Sequence, residues 1–337
     1  MAAPDAKVEL AERERLRPEQ TGSGLEERLA RLPEGHPSGT GYEDGPRPRE
    51  GGDKRAPERV EPLTDAEYAE HLAEVESKLD KARAAGLATH IQHTVDPAHE
   101  FWSDEREKLH DEIVEDLYGR SKTVPCEFRA VIAGGLAGAG KTTTLSDHAG
   151  IDRDRYFTIN PDTIKEELAR RGQIPEINGL TPMERSGLVH EESSHISKRL
   201  ALRAQAEGRN VIWDVTMSSE ASTAGRMERL RAAGYTRIEG VFVDIPVEVS
   251  RRRADARHRE EHEEFRSGRG LGGRHISPEV TAAQVDDEWG SKNRRNFEQM
   301  KHKFDAWSLY DNSVDGREPV LVAAAERQDH DEKEDGV

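Results

Sequence analysis

A single cysteine, Cys126, is all the chain holds. It excludes an intramolecular disulfide framework and leaves no cysteine-rich zinc spacing to build. Long apolar runs are missing too, since nothing approaches the roughly 18 residues that span a bilayer. The first residues carry charges, not the apolar core of a signal peptide. Together these absences predict a soluble protein of the reducing cytoplasm that does not engage membranes. Positive charge is also in deficit: 50 Lys and Arg stand against 67 Asp and Glu, a formal net charge of -17. General nucleic-acid binding needs the opposite excess, so a small or locally bound substrate is expected.

Apolar residues make up only 34% of the chain and charged residues 35%, which implies that part of it stays outside a core. The shortfall is concentrated at the start. Residues 1–62 are rich in Gly, Pro, Glu and Arg and read as a flexible arm. A helical extension follows over 63–122, with helices predicted at 65–85, from the spacing of Leu72, Val75, Leu79 and Ala82, and at 103–118. Whether these two helices only pad the sheet is open at this point. From 123 to 324 strand and helix alternate, as in a parallel sheet with crossover helices. Strands are predicted at 129–133, 156–159, 210–214, 238–244 and 319–322, and helices at 141–148, 161–171, 182–207, 219–233, 246–266 and 278–305. An acidic tail, 325–337, closes the chain.

Inside this pattern, Gly135-Leu136-Ala137-Gly138-Ala139-Gly140-Lys141-Thr142 satisfies the G-x-x-x-x-G-K-[ST] template directly after an apolar strand. Glycines let backbone N–H groups converge on phosphate oxygens, and the following helix points its positive end at them. Lys141 is expected to reach the β- and γ-phosphates of ATP, and Thr142, followed by Thr143, to place a hydroxyl on Mg²⁺. The fold class this implies is α/β, a P-loop NTPase-type parallel sheet flanked by helices, with an N-terminal helical extension. No Asn-Lys-x-Asp guanine signature follows, which disfavours a GTPase.

The acceptor side rests on carboxylates at strand ends, the edge where open α/β sheets keep their ligands. Asn160-Pro161-Asp162 follows the second predicted strand. Asp162 either accepts the proton of an attacking hydroxyl or caps the next helix, and both roles can hold. Asp214, ending Val211-Ile-Trp-Asp and followed by Val215 and Thr216, either holds Mg²⁺ through water or grips a substrate hydroxyl. Asp244, before Ile245-Pro246, reads more weakly. Arg257, in a long arginine run, and Arg274, after a glycine-rich stretch, are singled out as guanidinium donors to a phosphoryl transition state.

These features together resemble the zeta toxin family of bacterial P-loop kinases, over roughly 129–322. The resemblance implies ATP-dependent phosphorylation of the sugar 3'-hydroxyl of UDP-N-acetylglucosamine and control by an antitoxin protein. By it Lys141 and Thr142 bind ATP and Mg²⁺, Asp162 is the base, and Asn160, Asp214 and Thr216 meet the substrate. Arg257 and Arg274 become lid arginines. The chain departs from the family where Asp214-Val-Thr216 replaces Glu-Gly-Thr and where Lys198 stands in place of a substrate-gripping glutamate, with Glu191 and Glu192 earlier in the same helix. Another acceptor, an antibiotic or a nucleic-acid end, is the neighbouring reading. A nucleotide-binding regulatory module that hydrolyses ATP slowly is the reading from a different class.

Overall fold

The computed structural model describes residues 61–327. All but the last two residues of the arm, and most of the acidic tail, lie outside the described residues.

Ala130, Val131, Ile132 and Ala133 are apolar toward both sheet faces, the pattern of a strand covered by helices on each side. They form β1, Arg129–Gly134, which is buried from its second residue onward. Before it stand α1 (Asp65–Ala84), the single turn α2 (Thr89–Gln92) and α3 (Asp104–Gly119). After it come α4 (Lys141–Thr143), β2 (Phe157–Ile159), α5 (Pro161–Arg170), α6 (His190–Ala206), β3 (Val211–Asp214), α7 (Glu220–Ala232), β4 (Arg237–Asp244) and α8 (Val247–Arg266). The last elements are α9 (Pro278–Ala282), the hairpin strands β5 (Val285–Asp286) and β6 (Gly290–Ser291), α10 (Lys292–Met300), β7 (Ala306–Asp311) and β8 (Val320–Glu326).

The main sheet has the strand order β2-β3-β1-β4-β7-β8. β2, β3, β1, β4 and β7 run parallel, and β8 adds an antiparallel edge. The register places Ala133 beside Asp214 and Asp244 beside Asp311, so the strand-end carboxylates emerge along one edge next to the loop after β1.

One sheet face carries the larger core, including Ile159, Leu168, Ile196, Trp213, Phe242 and Phe297. Ile113, Val114 and Leu117 of α3 belong to that same cluster. Val131, Leu145, Ile212, Val243 and Tyr310 form the core of the other face. Val75 and Leu79 of α1 pack in a smaller cluster on Leu180. A capping box between Thr64 and Glu67 starts α1. α3 is fixed electrostatically as well: Arg106 donates Nε to Glu192 Oε1 at 2.5 Å, and His110 Nε2 lies 2.8 Å from the same oxygen. Glu192 is thus committed to holding α3 on α6.

Three predicted elements differ in form. Residues 278–305 are not one helix, because Gly290 at φ +73° and Asp286, whose carboxylate accepts the N–H groups of Glu288 and Trp289, make a tight turn between β5 and β6. Residues 182–207 open with a 3₁₀ stretch, Glu184–Val189, before α6 begins at His190. Helix 141–148 continues beyond α4 as a π-helical turn, Thr144–His148. β7 was not among the predicted strands. It follows immediately on a segment read as helical.

Candidate active site

The loop after β1 is built to face an anion. Gly135 sits at φ +138°, and a Cβ there would meet Val243 O at 2.3 Å; Gly140, at φ +80°, begins α4. Three loop carbonyls are anchored by side chains: Ser250 Oγ donates to Ala137 O at 2.7 Å, Arg253 Nη1 to Gly138 O at 3.1 Å and Asn312 Nδ2 to Ala139 O at 2.8 Å. In a planar trans peptide the next N–H points the opposite way, which turns the Gly138 and Gly140 N–H groups toward the mouth of the loop. Among the described residues, no protein acceptor takes the N–H of Gly138, Gly140, Lys141 or Thr142. Such a nest of free donors at a helix start fits a chain of phosphates. Leu136 and Ala139 are buried under the loop, whereas Thr142 and Thr143 are exposed on the first helical turn.

A polar chain leads from this loop to the next strand end. Lys141 Nζ donates to Gly135 O at 3.2 Å and lies 3.5 Å from Asp214 Oδ1. Asn160 Nδ2 donates to Asp214 Oδ2 at 3.1 Å, and Asn160 Oδ1 accepts the Asp162 N–H at 2.8 Å. Asn160 is therefore the N-cap of α5, with Pro161 in the first turn. The cap weighed for Asp162 belongs to Asn160, and the Asp162 side chain is left for other contacts.

Those contacts are cationic. Arg274 Nη1 is ion-paired to Asp162 Oδ2, and Lys165 Nζ lies 3.2 Å from Oδ1. Burial pushes the Asp162 carboxyl up, but Arg274 and then Lys165 outweigh it and hold the group at about 2. Burial depresses the Lys165 ammonium, and Asp162 opposes this. Asp244 is paired with Arg294 at 2.7 Å; its pKa is raised by burial, against the pull of Arg294. Thr216 is exposed, its hydroxyl donating to Ser218 Oγ at 3.2 Å.

Arg274 is thus brought to Asp162, while Arg257 is 48% exposed and its ion pair is a loose one, 3.8 Å to Glu261. One helical turn earlier, Arg253 touches the site: besides Gly138 it holds Asn312 O at 2.9 Å and Asp315 at 2.7 Å. Arg253 went unmarked inside the arginine run, although it shares a helix face with Arg257. Asn312 follows the unpredicted β7, so no motif pointed to it. Lys198 is exposed on α6, and Glu191 is exposed beside the buried Glu192.

Comparison with known proteins agrees with this architecture. The family model described as Zeta toxin matches residues 120–313. A solved structure described as AvrRxo1-ORF1:AvrRxo1-ORF2 with ATP is 20% identical, with 68% of this chain and 72% of that chain covered and a TM-score of 0.52. The same complex with sulphate ions aligns at 19% identity, equal coverage and the same TM-score. A structure from the PezAT toxin-antitoxin system of Streptococcus pneumoniae is 16% identical, covering 66% of this chain and 81% of that one, at a TM-score of 0.47. No curated protein matches the chain by sequence. Among the described residues, no helix is long and apolar enough to cross a membrane.

Proposed function

The chain belongs to the zeta toxin family, and on that premise we propose that it is an ATP-dependent kinase that phosphorylates a hydroxyl of a small nucleotide sugar. The sugar 3'-hydroxyl of UDP-N-acetylglucosamine is its first candidate. One observation carries the reading: a polar chain from Lys141 through the Asp214 carboxylate to Asn160, which accepts the Asp162 backbone N–H, ties the phosphate-binding loop to the helix start that bears Asp162.

In this reading the backbone donors of Gly138, Gly140 and Lys141 receive the phosphates of ATP, and the Lys141 ammonium neutralises charge on the β- and γ-phosphates. Thr142 and Asp214 are the residues that would hold Mg²⁺, which spreads charge from the phosphate oxygens when bound. Asp162 is ionised at neutral pH, as its depressed pKa requires, and can accept the hydroxyl proton as the acceptor oxygen attacks phosphorus. Arg274, freed from Asp162, offers a planar fork to two phosphoryl oxygens at once. Asn160 keeps the Asp162 backbone in place, and the exposed Thr216 hydroxyl can turn from Ser218 to the acceptor. The family resemblance adds an antitoxin protein as partner.

Purified protein incubated with labelled ATP and a panel of uridine sugars tests this. Transfer that depends on an N-acetylglucosamine acceptor is the expected result. Transfer to another hydroxyl would revise the acceptor, and label released as inorganic phosphate regardless of acceptor would overturn the kinase reading.

A further inference from the structure

Away from the phosphate loop, three histidines gather around one buried carboxylate where α1 meets α8. Glu184, whose side chain is fully buried, offers Oε1 to His71 Nε2 at 2.6 Å, to His262 Nδ1 at 3.1 Å and to His258 Nε2 at 3.2 Å. Its other oxygen already accepts the Thr181 N–H at 2.7 Å. His258 and His262 stand one turn apart on α8 and so share a face, and His71 comes from α1.

His258 borders this group. Its Nδ1 lies 2.7 Å from the Tyr68 hydroxyl, which also lies 3.0 Å from Asp255 O, and its Nε2 is buried and faces Glu184 Oε1 at 3.2 Å. One buried carboxylate oxygen thus gathers three imidazole nitrogens, two of them on His71 and His262, which also line an open cleft.

We propose that His71, His262 and Glu184 form a three-ligand binding site for a divalent transition-metal ion, zinc foremost, which ties α1 to α8 and leaves the fourth position to water. The ligand atoms of His71, Glu184 and His262 all lie within 4.8 Å of one another. A tetrahedral ion with bonds of about 2.0–2.1 Å holds its ligands roughly 3.3 Å apart; His262 Nδ1 stands 3.1 Å and His71 Nε2 2.6 Å from Glu184 Oε1, so His71 is the ligand that has to draw back when the ion enters. Imidazole nitrogens with a single carboxylate suit zinc rather than magnesium or calcium, which take oxygen ligands. His258, held by Tyr68, stands against Glu184 as the outer-shell support that metal ligands use. An ion can enter, since a cleft of about 640 Å³ opens on His71 and His262 between Leu63, Glu67 and Phe265. The proposal stands independently of the phosphoryl-transfer reading.

The full chain, freed of metal with a chelator, is titrated with Co²⁺ and followed by visible absorption, then with Zn²⁺ and followed by thermal melting. Wild type should take up one equivalent of cobalt with the intense spectrum of a tetrahedral site. Zinc at a hundredfold excess over its Kd should raise Tm by roughly 5–10 °C. His71→Ala, at the cleft rim, and His262→Ala should each lose the cobalt spectrum and the zinc-dependent Tm rise, each rise read against the same variant's own melt in chelator. Glu184→Gln, which keeps its shape and one acceptor, should lose them as well. His195→Ala should keep both, which separates this site from the second grouping of Glu107, His110 and His195. A wild-type chain that takes up no cobalt, or an equivalent that survives His71→Ala and disappears in His195→Ala, would overturn the assignment.

Discussion

Arg106 joins the helices that precede the sheet to the sheet's own helical layer, and its removal has a calculable effect. Its side chain is 7% exposed and that of Glu192 fully buried; the pair is bidentate, at 2.5 and 2.9 Å, and Arg106 Nη1 also donates to Gln173 Oε1 at 2.7 Å. Burial pushes the Glu192 carboxyl up, but the bonds from His110 and Arg106 prevail and hold it at about 2. Arg106→Ala would strand that carboxylate, a break that costs about 3–5 kcal/mol. A carboxyl lowered from 4.5 to about 2 carries a similar sum, roughly 3 kcal/mol. In a domain of this size each kcal/mol moves Tm by roughly 2–4 °C, so a fall of roughly 6–20 °C at pH 7 is expected. Because the folded pKa lies below the unfolded one, the stabilisation is present above the unfolded pKa and is lost as pH falls through the folded one. The gap between wild type and variant should therefore narrow as pH drops from 4.5 toward about 2. Thermal and urea melts across that range measure it, and Arg106→Met with Glu192→Leu should recover much of the loss. A single variant within about 0.5 kcal/mol of wild type would refute the reasoning.

Lys141→Ala should abolish phosphoryl transfer with an unchanged melting temperature, since the lysine supplies charge at the loop and little packing; wild-type turnover in the variant would move the γ-phosphate elsewhere. Asp162→Asn should keep ATP binding, measured by calorimetry, and lose roughly two to four orders of magnitude in transfer rate; unchanged acceptor kinetics would remove Asp162 from the chemistry. Arg274→Lys should lower kcat more than it weakens ATP binding, and by more than Arg257→Lys does, because only Arg274 reaches Asp162. An equal loss in the two variants would show that Arg257 swings into the site during turnover.

Much of the architecture could be read from periodicity and punctuation. The Ala130–Ala133 run and the glycines after it announced a buried strand and a phosphate loop, and Asp162 and Asp214 stood at strand ends that the sheet order brings to one edge. What escaped was tertiary. β7 begins directly after residues read as helical and its register is set by β4, so local pattern gave it no outline. Arg253 looks like its neighbours in a charge run, and only the packing of α8 against the loop distinguishes it. Gly290 lies inside the stretch read as one helix, and its φ of +73° is where that helix breaks. The proposed metal site draws on positions 71, 184 and 262, and the i, i+4 spacing of His258 and His262 on α8 does not by itself point to Glu184 or His71.

The ion pair between Arg274 and Asp162 has a kinetic consequence. A carboxylate held by its own guanidinium is a poor proton acceptor, and a guanidinium held by that carboxylate is not available to phosphate. If the two groups serve the reaction as proposed, each is inert until the other is released. Incoming triphosphate competes for Arg274, and its arrival strengthens Asp162 as a base in the same event. Substrate binding should then follow a compulsory sequence, nucleotide before sugar. Acceptor that arrives first meets a locked residue, and product inhibition patterns distinguish this order from random entry.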